Sequence, residues 1–178
     1  HRPNRTALQG GRGRRAQAVT ARDALWALYE SAGGRNWKDN SGWNNTEPCR
    51  GGPPWFGVTC EGPDVVSLSF LPPGLEFNVA FGSRSDYADS VFSKARELLE
   101  TTANNLVSTL PTELFGLTAL TKSFMLQYNG QLSGTIPTEA GQLSKLSGFF
   151  GMLGSKISGW LPSQVGQLSG LTKGLLLS

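Results

Sequence analysis

Leu106-Val107-Ser108-Thr109-Leu110-Pro111, Leu132-Ser133-Gly134-Thr135-Ile136-Pro137 and Ile157-Ser158-Gly159-Trp160-Leu161-Pro162 are three versions of one stretch, and their recurrence decides how the chain is read. Each runs into a small polar, then acidic or amide, then apolar segment: Pro111-Thr112-Glu113-Leu114, Pro137-Thr138-Glu139-Ala140 and Pro162-Ser163-Gln164-Val165. Working outward, Phe92-Ser93-Lys94-Ala95 through Leu106 aligns without a gap on Leu143-Ser144-Lys145-Leu146 through Ile157, at an offset of 51. Leu117-Thr118-Ala119-Leu120 opens a unit halfway between them, and Leu168-Ser169-Gly170-Leu171 opens another, so starts fall near 92, 117, 143 and 168. A fixed period of this size marks tandem supersecondary units, none of which can bury its apolar face alone.

Within each unit, apolar positions two apart predict a short strand: Leu99/Thr101, Phe124/Leu126, Phe150/Met152 and Leu175/Leu177. A small polar turn residue follows, Asn104, Asn129 or Ser155. An earlier, degenerate unit begins near 65, with Val66, Leu68, Phe70 and Leu75 at strand and turn spacing, Val79 before the turn and an insertion over 81–86. A second reading makes 84–103 a single inserted helix, because Tyr87, Val91, Phe92, Leu98 and Leu99 have helical spacing. The 51-residue register favours the repeat.

Residues 23–64 differ. Asp23 is an N-cap candidate for a helix carrying Leu25, Leu28 and Tyr29, and Gly33-Gly34 ends it. Trp37, Trp43 and Trp55 then read as a small aromatic core. Cys49 and Cys60, an even pair with ten residues between them, suggest a disulfide closing a short loop. Two thiols without a nearby imidazole make a poor zinc site, and the single histidine is His1.

The formal charge of +3 misleads, because Arg2, Arg5, Arg12, Arg14, Arg15 and Arg22 lie in a stretch without acids. Without those six arginines, ten basic residues face thirteen acidic ones, so the body is about −3. Residues 1–22 read as a basic tail, either solvated or tethering the chain to an acidic partner or anionic surface. Aromatics do not interleave with the arginines, so nucleic acid is not expected. No run of eighteen apolar residues is present, so no membrane span is expected, and the first residues lack the apolar core of a signal peptide.

Together these residues resemble the plant-type leucine-rich-repeat family with its cysteine-paired N-terminal cap. The cap likeness rests on Ala24-Leu25, Leu28-Tyr29, Asn36-Trp37, Trp43, Pro48-Cys49 and Trp55-Phe56-Gly57-Val58-Thr59-Cys60. The repeat likeness rests on the Leu-x-Leu, Asn-x-Leu and Ile/Leu-Pro positions above, and the match covers about residues 23–178. The units are one or two residues longer than is usual, Asn129 lies one residue further from its leucine than Asn104 does, and Ser155 stands where Asn is usual. Those departures look more like algal or protist members. The resemblance implies an α/β solenoid: a right-handed superhelix with a parallel β-sheet on its concave face and a helical N-terminal cap. It divides the chain into a basic tail (1–22), a disulfide-bearing cap (23–64) and about four and a half repeats (65–178). Ser178 falls inside a repeat, so a continuation or a partner is expected to cover that end.

On that scaffold, the resemblance places Glu100, Thr102, Met125, Gln127, Tyr128, Phe149, Gly151 and Leu153 on the outward strand positions, with Ser67, Ser69, Ser123, Leu98, Gly174 and Leu176. Met125, Tyr128, Phe149, Leu153 and Leu176 would form an apolar stripe, the mark of an interface. A register slip of one would turn some of them inward. Trp160 is either a lateral hot spot or folded over its neighbours. The expectation is a non-enzymatic module binding a protein or peptide. The alternative is a permanently bound subunit of a larger assembly, whose neighbours cover the open C-terminal end. Catalysis and a cofactor are not expected: no internal histidine can serve as base, Gly10-Gly11-Arg12-Gly13 lacks the setting of a phosphate loop, and Asp86/Asp89 lie in a loop. A polysaccharide or ice surface would need regular rows, and the row begun by Thr109 and Thr135 is interrupted by Trp160. Sequons at Asn4-Arg5-Thr6 and Asn44-Asn45-Thr46, with the disulfide, favour the secretory pathway, at the cell surface or outside it; an oxidising organelle lumen is the alternative.

Overall fold

Thr20 starts the helix three residues earlier than the sequence suggests. In the computed structural model, which describes residues 19–43, 47–70 and 103–177, α1 spans Ala21–Ser31. The Thr20 hydroxyl accepts from the Asp23 N–H at 3.1 Å, and the Asp23 carboxylate accepts from the Thr20 N–H at 3.3 Å. This is a reciprocal capping box. Asp23 is therefore its third helical residue rather than the cap. α1 buries Ala24, Leu25, Leu28 and Tyr29, and Gly33 follows in the left-handed region that ends helices.

The chain then makes an antiparallel pair, β1 (Val58–Glu61) and β2 (Asp64–Ser69). Cys60 on β1 is disulfide-bonded to Cys49. From β2 onward strands alternate between two sheets: β3 (Val107–Thr109), β4 (Phe124–Met125), β5 (Gln131–Gly134), β6 (Phe149–Gly151), β7 (Lys156–Ile157) and β8 (Gly174–Leu176). One sheet has the order β1-β2-β4-β6-β8 and the other β3-β5-β7. Apart from the β1/β2 pair all neighbours are parallel, with Phe124 opposite Phe150 and Phe150 opposite Leu175. Single 3-10 turns at Thr112–Gly116, Thr138–Gln142 and Ser163–Gln167 carry the chain between sheets, each after the proline of its unit.

This corrects the expected architecture. The described residues form a small α/β domain, with one α-helix and two sheets, one of mixed direction, in place of a right-handed superhelix with a single parallel sheet. Two physical reasons are visible. The outer stretches Val107–Thr109, Gln131–Gly134 and Lys156–Ile157 extend and pair with one another, so their backbone groups are satisfied in a second ladder. The β1 hairpin adds an antiparallel strand at the near edge.

The strand expected at Leu99/Thr101 lies outside the described residues, as do Leu75, Val79, the insertion at 81–86 and the alternative helix up to its last residue, Ala103. β2 meets β4 directly, with Leu68 N–H donating to Ser123 O at 2.9 Å and Phe70 N–H to Met125 O at 3.1 Å.

The core is continuous. At the N-terminal end Trp37, Trp43, Trp55 and Phe70 are buried together, with centroids of Trp37 and Trp43, and of Trp43 and Trp55, 4.9 Å apart. The two inner indoles keep partners: Trp37 Nε1–H donates to Ala32 O and Trp43 Nε1–H to Phe56 O. Phe115, Phe124 and Phe150 continue the stack from unit to unit at 5.7 and 5.2 Å. Buried asparagines tie the loops: Asn104 exchanges two hydrogen bonds with the Asp39 backbone, and Asn129 accepts from Leu106 N–H while donating to Leu126 O and Gln127 O. These side chains satisfy peptide groups that no ladder reaches.

Candidate functional site

Period-two alternation settles which side chains the larger sheet turns outward. Phe124, Leu126, Phe150 and Met152 are fully buried. Met125, Phe149 and Leu153, beside them in the chain, are half-buried. Met125 lies opposite Gly151, and Phe149 opposite Gly174. The Lys173 ammonium sits 5.6 Å from the Phe149 ring centroid, within cation–π range. Lys122 at the other margin pairs with Glu61 at 2.7 Å, both largely exposed.

Two positions on this face behave differently from the sequence expectation. Gln127 is only 1% exposed, and its Nε2 has no hydrogen-bond partner among the described residues. Gly151 is buried too, because a Cβ there would meet Gln127 Nε2 at 2.7 Å and Leu176 Cβ at 3.3 Å. Gln127 therefore lies across Gly151 and fills the outer face there instead of projecting from it. Glu100, Thr102 and Leu98 fall outside the described residues. Ser67 is buried, and its hydroxyl donates to Ser123 O.

Tyr128 turns away at the corner after β4, with a backbone φ of 59°, and lines a cavity with Asn105, Asn129, Gly130, Gln131 and Gly154. Sequence reasoning missed this cavity, although the extra residue between Asn129 and Leu132 was its signal.

At the far edge, Trp160 is 96% exposed, and Leu161 beside it is 47% exposed. The indole projects outward rather than folding over its neighbours. Ile157, Gly159, Trp160 and Leu161 border a small cleft of about 60 Å³ with Met152 and Leu177 at its back. Leu175, the counterpart of buried Phe150, is 39% exposed on the same end.

Among the described residues, no group of three or more acidic, histidine or cysteine side chains could hold a metal ion, and no helix is long and apolar enough to cross a membrane. The Asp23 carboxyl is held below its ordinary value by hydrogen bonds from the Thr20 hydroxyl and backbone N–H. The Cys49–Cys60 bond points to an oxidising compartment. No protein-family model matches the chain, and no curated protein matches it.

Proposed function

We propose that this protein is a non-enzymatic binding module that docks a protein or peptide through its tandem units, with Trp160 as the anchor. The observation that carries this reading is the exposure of Trp160 and Leu161 beside a cleft. Exposed tryptophan is costly to leave in water and is enriched where partners bind. Met125, Phe149 and Leu153 add a half-buried apolar row on the neighbouring sheet face, and an apolar patch rimmed by Lys122 and Lys173 suits a protein partner. The sequence likeness of the cap and units to plant-type leucine-rich-repeat proteins supports recognition rather than catalysis. The oxidising setting is the secretory pathway, at the surface or outside the cell, an organelle lumen being the alternative.

Cross-linking mass spectrometry on native material tests this. Lys156 and Lys173 are expected to link to one protein neighbour, and Trp160→Ser is expected to abolish those links while the protein stays folded. Links confined to the chain itself, or unchanged by the substitution, would sink the proposal.

A further inference from the structure

We propose that the corner cavity between β4 and β5 binds one pyranose ring of a neutral saccharide, at a site separate from Trp160. The cavity measures about 360 Å³ and is lined by Asn105, Leu106, Tyr128, Asn129, Gly130, Gln131 and Gly154. That is the size of a small-ligand pocket. Its chemistry is narrow. Among the described residues no charged side chain lines it, so none of them there would hold a phosphate or carboxylate. Leu106 is fully buried at its base, so the lining offers little aliphatic surface to an apolar ligand.

What the cavity does offer is one aromatic ring and carboxamides. Asn129 is already committed to Leu106, Leu126 and Gln127. Asn105 and Gln131 are exposed, and neither side chain has a hydrogen-bond partner among the described residues. A carboxamide both donates and accepts, which is what a sugar hydroxyl also does, so each can engage a vicinal hydroxyl pair. Tyr128 supplies the apolar face on which the C–H side of a pyranose rests.

The backbone supports this assignment. Asn105 and Tyr128 both have positive φ, 61° and 59°, and such a conformation is unusual for a bulky residue such as tyrosine. It aims the Tyr128 ring over Gly154, where a Cβ would come within 2.9 Å of Tyr128 Cδ1. Gly130, the extra residue of this unit, opens the space beside it.

The test is titration calorimetry and saturation-transfer NMR on the full chain with cellotetraose, mannotetraose and laminaritetraose, inorganic phosphate and a neutral tetrapeptide serving as controls. At least one saccharide is expected to bind saturably. Tyr128→Gly, which suits the backbone and removes the ring, is expected to weaken it about tenfold or more. Gln131→Ala, at an exposed position, should weaken it roughly threefold to tenfold without changing the circular dichroism spectrum. Trp160→Ser should leave it unchanged, which separates this site from the protein-binding one. Absence of saturable binding, equal affinity in the Gln131→Ala variant, or preference for phosphate or the peptide overturns the assignment.

Discussion

The two ends of this molecule treat tryptophan in opposite ways. At the N-terminal end Trp43 is fully buried among Trp37, Trp55, Tyr29 and Phe70, with its indole N–H satisfied and a disulfide nearby. At the far end Trp160 stands almost wholly in solvent beside half-exposed Leu161. The same side chain is thus structural in one place and presented in the other. The difference lies in neighbours rather than in residue type. The cap supplies α1 and a loop tied by Asn104, whereas nothing among the described residues packs over Gly159-Trp160-Leu161.

That contrast can be broken most directly by truncating each indole. Trp43→Ala is expected to cost about 3–5 kcal/mol in urea denaturation, enough to unfold a domain of ordinary stability. Trp160→Ala should change stability by less than about 0.5 kcal/mol. Equal effects would mean that Trp160 is packed in solution. The disulfide sharpens the comparison next. Replacing Cys49 and Cys60 together by Ser should cost about 3 kcal/mol, read from the denaturation midpoint, with the Trp160 end unaffected.

A smaller effect is expected at the capping box. Thr20→Ala should cost about 1 kcal/mol and shorten α1 by circular dichroism. The Asp23 contribution has a defined sign. Its folded pKa is lowered, so the stabilisation is fully present above the ordinary carboxylate value and is lost as pH falls through the lower folded one. In an acid titration the gap between wild type and Thr20→Ala should therefore narrow as pH falls below the ordinary carboxylate value, leaving the part due to the bond from the Asp23 N–H to the Thr20 hydroxyl.

A small gain is expected in the second sheet. Ser108, Gly134 and Gly159 occupy equivalent places in successive units, all with positive φ, 66°, 92° and 87°. Ser108 alone carries a Cβ there, so Ser108→Gly should stabilise by about 0.5–1 kcal/mol. In contrast, a Cβ at Gly134 would come within 2.9 Å of Thr109 Cγ2. Gly134→Ala should therefore destabilise, and a neutral result would show that the two units can slide apart.

Much of this was legible in the sequence because local chemistry decided it. The cluster of Trp37, Trp43 and Trp55, the cysteine pair and the strand pairs Phe124/Leu126 and Phe150/Met152 could be read from the residues and their spacing. The second sheet was not legible, since Ser108-Thr109 and Ser133-Gly134 look like turn residues until their backbones find partners in neighbouring units. Gln127 was read as outward by alternation, yet it is buried. Its burial depends on Gly151 opening a seat one strand away, and no local pattern reports that. The pairing of β2 with β4 was equally hidden: the 51-residue periodicity persists back to Phe92 whether or not that segment supplies the neighbouring strand.

That pairing has a kinetic consequence. Leu68 and Phe124 are partners across 56 positions of chain, while Phe124 and Phe150 are partners across 26 and Phe150 and Leu175 across 25. Closing the longer loop costs about 0.7 kcal/mol more in chain entropy. Sequence-local pairings form first where other terms are equal. By that difference alone, β4, β6 and β8 are expected to pair with one another before β2 docks onto β4, so protection of the Leu68 and Phe70 amides from hydrogen exchange should follow that of Leu126 and Met152 during refolding.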